Sequence, residues 1–268
     1  MVNMLEIRKL TIRERSTGKV IIPDSSFDVK KGSCLAIVGE SGSGKSLTCR
    51  AIMRLNKPGI EQAGDIWLGG ENLAKLPEQE MRRRRGRRLC MIMQHGMRAF
   101  DPSRAVGVHL IETLAEHFDW SKSEMTGRMK RALESVRLNA PMDVMNAYPH
   151  QLSGGMLQRV MIALTLVLEP DVVIADEPTT ALDTVSQYEV VEQFIRLRER
   201  LGSTMIFISH DLGVVRKIAD EVLVMKDGRI VEHGTTGAVF TKAQHDYTRS
   251  LVTAKLSLHQ HFRQVMGE

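Results

Sequence analysis

Gly39, Gly44, Lys45 and Ser46 stand at a spacing that suits the capture of a phosphate chain. They frame the stretch "GESGSGKS", whose glycines let successive backbone N–H groups turn toward one anion. A helix predicted from Ser46 to about Leu55 adds the positive end of its dipole. In such a P-loop, Lys45 would contact the β- and γ-phosphates and Ser46 would ligate Mg²⁺. The predicted nucleotide-binding residues are Gly39, Glu40, Ser41, Gly42, Ser43, Gly44, Lys45 and Ser46.

Two acidic residues follow an apolar strand in "VVIADEP". The strand delivers Asp176 to the edge of a sheet, where its carboxylate can hold Mg²⁺ through water. Glu177 is adjacent and can polarise an attacking water as general base. Two acids after a strand are a weak signal alone, but here they follow a P-loop and precede "PTTALD". Together these motifs predict hydrolysis of a phosphate chain.

Gln94 and His210 each end a predicted strand. A glutamine at such an edge can sense Mg²⁺ and water, and a histidine can hydrogen-bond the γ-phosphate. Either residue alone is more often an ordinary polar group at the end of a strand. Each indicates a catalytic role only in combination with the P-loop and the two acidic residues. The predicted catalytic residues are Glu177, His210 and Gln94, and the predicted Mg²⁺ ligands are Ser46, Gln94 and Asp176.

A second loop suited to an anion lies in "QLSGGMLQRV" at 151–160. Ser153, Gly154 and Gly155 open an amphipathic helix, and the N–H groups at a helix start can grip an anion. Two phosphate-seeking loops in one domain raise the question of which nucleotide the second loop serves.

Strands alternate with helices along most of the chain. Apolar strands are predicted in "GSCLAIVGE", "LCMIMQ", "DVVIADEP" and "TMIFISHD", which favours a parallel sheet covered on both faces. "GDIWLGG" predicts a small antiparallel strand set, and "EVLVMKDGRIVEHG" predicts a hairpin that turns at Asp227-Gly228. Helical periodicity over 104–147 predicts an inserted helical lobe.

The composition fits a globular chain of 268 residues with a formal charge of +5. Most of the excess charge comes from "RRRRGRR" at 82–88, which we interpret as a solvated turn before the next strand. Three cysteines without a C-x-x-C spacing indicate reduced thiols rather than a disulfide framework or a zinc site. The N-terminus lacks the apolar core of a signal peptide, and the longest apolar runs are about half of a membrane span. Any action at a membrane is therefore expected to go through a partner.

The complete set of motifs resembles that of ATP-binding-cassette (ABC) ATPases. The P-loop, Gln94, "LSGGM", "VVIADE", "ALD" and His210 occur in the family's order over essentially the whole chain. The resemblance implies a single α/β P-loop NTPase domain that hydrolyses ATP with Mg²⁺. It implies a RecA-like parallel-sheet core with a small antiparallel β subdomain at 1–96 and 160–240. It also implies an inserted α-helical signature subdomain at 97–159 and a C-terminal helical tail at 241–268.

In that family two cassettes meet head to tail, and the Ser-Gly-Gly loop of one closes over the γ-phosphate bound to the other. The resemblance therefore implies that Ser153, Gly154 and Gly155 contact a partner's nucleotide. It also identifies Asp183 as the D-loop residue.

Within the family, the sequence is similar to the peptide/nickel importer branch. The shared stretches are "AFDPS" at 99–103, "SGGMLQR" at 153–159, "ADEPTTALD" at 175–183 and "HDYTRSLV" at 245–252. It is similar in particular to the first ATPase subunit of nickel and opine-metallophore importers. The resemblance implies a motor for uptake of nickel or a metal chelate, at the cytoplasmic face of the cell membrane.

The implied partners are a second, related ATPase in a heterodimer, two transmembrane permeases and an extracytoplasmic binding protein, with no nucleic acid. The loop "QHGMRAFDPS", which starts at Gln94, predicts that Phe100 and its neighbours couple the chemistry to a permease.

Two positions depart from the family pattern. An aromatic residue that stacks on adenine is usual near 13–14, where this chain has Arg13 and Glu14; Arg13 could stack on the base instead, or Val20 could pack on it. The usual glutamine after Ser-Gly-Gly is Met156, as in the nickel-type subunits. The cysteine-rich tail of many peptide-importer ATPases is absent.

Other functions share many of these motifs. One alternative is the ATPase of a dipeptide or oligopeptide importer, and another is an ABC-type subunit of a soluble phosphonate-degrading enzyme complex. A role in DNA repair or translation would use "RRRRGRR" as a nucleic-acid patch, but the chain lacks the long coiled coil or tandem cassette of those groups. The cargo itself is not encoded here, because selectivity lies in the binding protein and the permeases.

Overall fold

The structure is a computed structural model that describes residues 2–94, 96–180 and 182–254. The strands in chain order are β1 (Asn3–Glu14), β2 (Val20–Lys30), β3 (Cys34–Val38), β4 (Ile60–Leu68), β5 (Glu71–Asn72), β6 (Leu89–Ile92), β7 (Val172–Asp176), β8 (Thr204–Ile208), β9 (Glu221–Lys226) and β10 (Arg229–Thr235). The helices are α1 (Lys45–Ile52), α2 (Glu78–Arg84), α3 (Val106–Ala115), α4 (Lys122–Ser135), α5 (Pro141–Asn146), α6 (Gly154–Leu168), α7 (Thr184–Leu201), α8 (Leu212–Ile218) and α9 (Thr236–Thr241). A further helix, here called the C-terminal helix, runs over 246–254. Residues 255–268 of the predicted tail lie outside the described residues.

The chain forms two compact units. The first combines the chain up to Lys75 with the chain from Met205 onward, and the second spans Leu76–Thr204. The predicted division into core, helical subdomain and tail follows other boundaries and stays a prediction.

An antiparallel sheet of the order β2-β1-β4-β5 belongs to the first unit. Along β1, four side chains are fully buried: Leu5, Ile7, Leu10 and Ile12. Side chains of a regular strand alternate between the two faces, so Leu10 and Ile12 would normally lie on the face opposite to Leu5 and Ile7. An irregularity in the pairing between Ile7 and Leu10, where Lys9 has a φ of 51°, brings the pair back to the buried face. The antiparallel strand set predicted from "GDIWLGG" is therefore confirmed.

The first unit also contains a mainly parallel strand set, in which β3 pairs in parallel with β8 and β9. All five residues of β3 are buried, as its continuous apolar run predicts. β9 and β10 form an antiparallel hairpin whose turn residues, Asp227 and Gly228, both have positive φ, at 48° and 76°. These angles are typical of a tight hairpin turn, and the predicted Asp227-Gly228 turn is confirmed.

A hydrophobic cluster packs beside this strand set within the first unit. It joins residues of β3, α8, β9, α9 and the C-terminal helix, and Tyr247 and Leu251 pack against it. Val252 of the C-terminal helix is itself one of the buried members. The C-terminal helix is thus held by the core and does not merely follow it in sequence.

The second unit contains the parallel pair β6 and β7 together with helices. Leu89 lies opposite Val172 and Ile92 lies opposite Ala175, and all five residues of β7 are buried. Helices α3, α4 and α5 occupy the stretch over which helical periodicity was predicted. Helix α4 is capped at its start by Ser121, whose hydroxyl accepts a hydrogen bond from the Glu124 N–H.

The basic run at 82–88 is partly helical, since α2 ends only at Arg84. The prediction of a turn over the whole run was wrong, because acidic residues one helical turn earlier support the helix. Four arginines of the run pair with carboxylates of the same unit: Arg83 and Arg84 with Glu80, Arg85 with Glu78, and Arg88 with Asp171.

The hairpin turn provides a test of this packing. A Cβ atom at Gly228 would lie 1.9 Å from the Ile21 carbonyl oxygen, whereas a Cβ at Gly18 would meet nothing within 4 Å. Both glycines have positive φ, which strains any other residue. Gly18→Ala should therefore lower the free energy of unfolding by only about 1 kcal/mol. Gly228→Ala should lower the free energy of unfolding by roughly 1–3 kcal/mol more than that, because strand β2 must move to make room for the added Cβ. Urea unfolding followed by circular dichroism measures both; equal losses would mean that β2 and the hairpin are not in this close contact.

Candidate nucleotide site

The predicted P-loop connects β3 to α1 in the first unit. Gly39 has a φ of 150° and Gly44 has a φ of 102°, conformations that favour glycine. Both also lie against neighbouring atoms: a Cβ would approach the Met225 carbonyl oxygen to 2.2 Å at Gly39 and the Ile22 side chain to 2.4 Å at Gly44. The positive φ and the close neighbours together explain why glycine stands at these two positions.

Lys45 carries the positive charge of this loop. Its side chain is 5% exposed, and its ammonium donates hydrogen bonds to the carbonyl oxygens of Gly39 and Glu40, each at 2.8 Å. Carbonyl oxygens of the loop thus surround the Lys45 ammonium. Helix α1 starts at Lys45 with no acidic residue in its first turn, so its N-terminus and the ammonium present positive charge together.

At the end of β7 in the second unit, Asp176 is 3% exposed and is followed by Glu177. Glu177 has a φ of 46°, unusual for a residue with a side chain. Its Oε2 atom accepts hydrogen bonds from Gln94 Nε2 at 3.1 Å and from Thr180 Oγ1 at 3.0 Å. The structure therefore brings the predicted residues Gln94 and Glu177 together.

Thr180 was not singled out by the sequence reasoning. Its position three residues after Glu177 was the available signal, because a hydroxyl at that distance can reach back across a turn.

Ser153 and its two glycines begin α6 in the same unit. The Ser153 hydroxyl accepts a hydrogen bond from the Met156 N–H at 3.2 Å, which caps the helix. A hydroxyl that accepts in this way keeps its proton for another acceptor. Gly154 lies near Leu182, since a Cβ there would be 3.4 Å from the Leu182 side chain.

Asp183 is brought close to this loop. It caps α7, accepting hydrogen bonds from the Ser186 N–H at 2.9 Å and the Ser186 hydroxyl at 2.6 Å. The hydrogen bond from the Ser186 hydroxyl is the main cause, followed by the one from its N–H, that lowers the pKa of the Asp183 carboxyl below its ordinary value. A Cβ at Gly155 would be 3.4 Å from Ser186 Cβ. Ser186, missed by the sequence reasoning, therefore lies beside both predicted motifs.

His210 follows β8 in the first unit and is exposed. Hydrogen bonds of the neighbouring residues Ser209 and Asp211 stabilise the turn that carries His210. The Asp211 N–H donates to the Ser209 hydroxyl at 3.0 Å, and the Asp211 carboxylate accepts from the Gly213 N–H at 2.8 Å at the start of α8.

Phe100 does not present its ring to solvent. It is 8% exposed and its ring meets the His109 ring edge-on, with centroids 5.5 Å apart. Phe100 therefore packs within the second unit, and the coupling of its loop to a permease stays a prediction.

No helix within residues 2–94, 96–180 and 182–254 is long and apolar enough to cross a membrane. The same described ranges hold no group of three or more His, Cys, Asp or Glu side chains placed to bind a metal ion together.

Comparison with known proteins identifies the class to which this fold and these motifs belong. The family model of ABC transporters matches residues 22–180. A solved structure, the dimeric post-hydrolysis state of the ATP-binding cassette MJ0796 bound to ADP and Pi, matches with a TM-score of 0.77 and 26% identity. The match covers 87% of this chain and 99% of that one. The chain therefore belongs to the ABC transporter family and is an ATP-binding, ATP-hydrolysing cassette with the predicted α/β fold.

Two curated relatives are similar over nearly the full chain. The metal-staphylopine import system ATP-binding protein CntD of Staphylococcus aureus (strain Mu50) is 44% identical over 263 residues, which cover 98% of this chain and 97% of that protein. The oligopeptide transport ATP-binding protein OppD of Bacillus subtilis (strain 168) is 42% identical over 259 residues, covering 95% of this chain and 72% of that protein. These similarities bear out the predicted resemblance to the peptide/nickel importer branch.

Proposed function

We propose that this chain is the motor of an importer for nickel or a metal chelate, acting at the cytoplasmic face of the membrane with a second ATPase and two permeases. The observation that carries the catalytic part is the carboxylate of Glu177, held by Gln94 and Thr180 next to buried Asp176. The cargo is supported by the similarity to the metal-staphylopine import ATPase over nearly the whole of both chains.

An oligopeptide importer is the second candidate. The oligopeptide transport relative is almost as similar in sequence, at 42% identity over 259 residues. The metal-chelate relative has the slightly higher identity, 44% over 263 residues, and we therefore place the metal chelate first.

In this proposal the loop at 39–46 holds the phosphates of ATP. The ammonium of Lys45 already sits among loop carbonyls, and an entering β- or γ-phosphate offers it a charged acceptor. The hydroxyl of Ser46 and the carboxylate of Asp176, with the Gln94 side chain, are the oxygen donors that would hold Mg²⁺. The ion would neutralise charge on the phosphates when bound.

The second unit supplies the groups that act on water. Glu177 accepts the proton of the attacking water as general base, and the hydrogen bonds from Gln94 and Thr180 help to fix the direction of the carboxylate. From the first unit, His210 donates a hydrogen bond to the γ-phosphate as the transferred group accumulates charge. The energy of binding and hydrolysis drives the closure and reopening of the cassette pair.

Glu177→Gln tests the assignment of the base. The substitution keeps the shape but removes the basic oxygen, so hydrolysis in the assembled complex should fall roughly 100-fold or more. Mg-ATP affinity should stay normal, because Lys45 and the P-loop are unchanged. Measurements are steady-state ATPase activity and binding of a fluorescent ATP analogue.

Two further variants complete that test. Glu134→Gln, at an exposed position on α4, is the matched control and should behave as wild type. Lys45→Ala should instead lose nucleotide affinity. Near-normal hydrolysis by Glu177→Gln would exclude Glu177 as the base.

The Ser153 loop is proposed to serve the nucleotide bound by the partner cassette. The Ser153 hydroxyl accepts a hydrogen bond from the Met156 N–H, which leaves its own proton able to bond an oxygen of a γ-phosphate. Ser153→Arg should therefore leave ATP binding by the isolated chain unchanged and should block turnover at the partner's site.

Paired substitutions locate the damaged site. Ser153→Arg combined with the partner's P-loop Lys→Ala strikes a single site and should be no worse than the more severe change alone. Ser153→Arg combined with Lys45→Ala strikes both sites and should abolish ATPase activity of the complex. Reduced nucleotide affinity of the isolated Ser153→Arg chain would mean that the loop acts on the chain's own nucleotide.

The permease is proposed to dock on exposed apolar side chains of the second unit, here called the apolar face. It comprises Met97, Val108 and Met142, which are 55%, 41% and 44% exposed. The helices that carry the last two, α3 and α5, approach closely: a Cβ at Gly107 would lie 2.8 Å from the Met145 carbonyl oxygen. A contiguous surface of such side chains would suit a protein contact.

Met142→Asp should reduce the amount of permease that co-purifies with the chain from membranes, because a charge replaces an apolar contact. Leu55→Asp, at a similarly exposed position in the first unit, is the matched control and should recover the full complex. ATP affinity should be normal in both variants. Two permeases and a second ATPase are the expected co-purifying proteins. Full recovery with Met142→Asp would place the docking face elsewhere, and lyase subunits would indicate a soluble enzyme complex.

A further inference from the structure

The stretch "HDYTRSLV" at 245–252 has no part in the catalytic scheme above, yet it is firmly built into the first unit. The Glu232 carboxylate on β10 accepts hydrogen bonds from the N–H groups of Gln244 and His245, at 2.8 and 3.0 Å. The Tyr247 N–H donates to His245 Nδ1 at 3.1 Å, which caps the start of the C-terminal helix. With Val252 buried in the core, this helix has a fixed position.

Tyr247 connects this helix to the phosphate loop. Its hydroxyl accepts a hydrogen bond from the Glu40 N–H at 2.9 Å, across 207 residues of sequence. Its ring packs on the hydrophobic cluster of the first unit, and the Lys226 ammonium lies 5.0 Å from the ring centroid. The ring is therefore held by packing, and only the hydroxyl reaches the loop.

The residue that Tyr247 holds also supports the cation of the loop. The Glu40 carbonyl accepts one of the hydrogen bonds from the Lys45 ammonium. Glu40 is thus fixed at its N–H by the C-terminal helix, while its carbonyl helps to place Lys45. The loss of the tyrosine hydroxyl would release the first turn of the loop, and the loop would then lose conformational freedom when nucleotide binds.

We propose that Tyr247 is a positioning residue of the nucleotide site, which sets the affinity of the P-loop for the phosphates of ATP without touching them. This inference rests on the proposed role of the loop at 39–46. It gives the C-terminal helix a function in nucleotide binding, because the helix supplies an acceptor that the loop itself lacks at this N–H.

Tyr247→Phe in the full-length chain removes the hydroxyl and keeps the packed ring. The dissociation constant for Mg-ATP should rise roughly fivefold, the effect of one net hydrogen bond. In the assembled complex the KM for ATP should rise with kcat unchanged, because ground state and transition state lose the same support. Hydrogen exchange at the Glu40 amide, followed by mass spectrometry of a peptide covering it, should become faster.

Tyr188→Phe on α7 is the matched control: it also removes one tyrosine hydroxyl, from a side chain that is 61% exposed, and should leave all three readouts at wild-type values. If Tyr247→Phe lowers only the melting temperature and leaves Mg-ATP affinity and KM unchanged, Tyr247 is structural and the proposal is overturned. Lys45→Ala separates the two levels of inference. If Lys45→Ala keeps normal affinity, the role of the loop fails, whereas normal affinity in Tyr247→Phe alone overturns only the positioning role.

Discussion

The close contact between the P-loop and the β9–β10 hairpin is the constraint on which the phosphate site depends. Gly39 lies against the Met225 carbonyl, and the Gly228 N–H donates to the Ser43 carbonyl at 3.1 Å. These contacts leave no room for a side chain at Gly39, and they hold the loop against the hairpin. A loop held in this way loses little entropy when it binds phosphate, which favours the ATP binding proposed for residues 39–46.

In the second unit, the important feature is the carboxylate of Glu177, which is held by hydrogen bonds on a residue with a strained backbone. A positive φ at a residue with a side chain costs about 1 kcal/mol or more, and Glu177 has a φ of 46°. The hydrogen bonds from Gln94 and Thr180 offset this cost and fix the direction of the carboxylate. The strain lies at the residue proposed to take the proton, where a fixed direction matters most.

Much of this could be predicted from the sequence because the motifs are local. Glycine, lysine and serine at fixed spacing after an apolar strand predicted the P-loop, and Asp227-Gly228 predicted the hairpin turn, both from neighbouring residues alone. The partners that hold these motifs could not be predicted in the same way. Tyr247 reaches Glu40 across 207 residues, so no local pattern reveals the contact.

Two other features have physical reasons that the sequence does not show. Phe100 is buried against His109, whereas the sequence of its loop predicted only a connection between Gln94 and a permease. The run at 82–88 was interpreted as a turn because of its charge, whereas pairing of its arginines with Glu78 and Glu80 supports a helix to Arg84. Burial and charge pairing depend on which side chains meet, and composition does not record this.

The proposed coupling of this ATPase to metal-chelate import can be tested by uptake into sealed vesicles. Vesicles would contain the purified complex of this chain with its partners, with the binding protein outside and ATP at the face that carries the cassettes. Uptake of a radioactive nickel chelate should require hydrolysable ATP, fall to background with Glu177→Gln, and exceed uptake of a labelled dipeptide. ATP-driven uptake of the dipeptide without uptake of the metal chelate, or metal uptake that persists without ATP, would contradict the proposal.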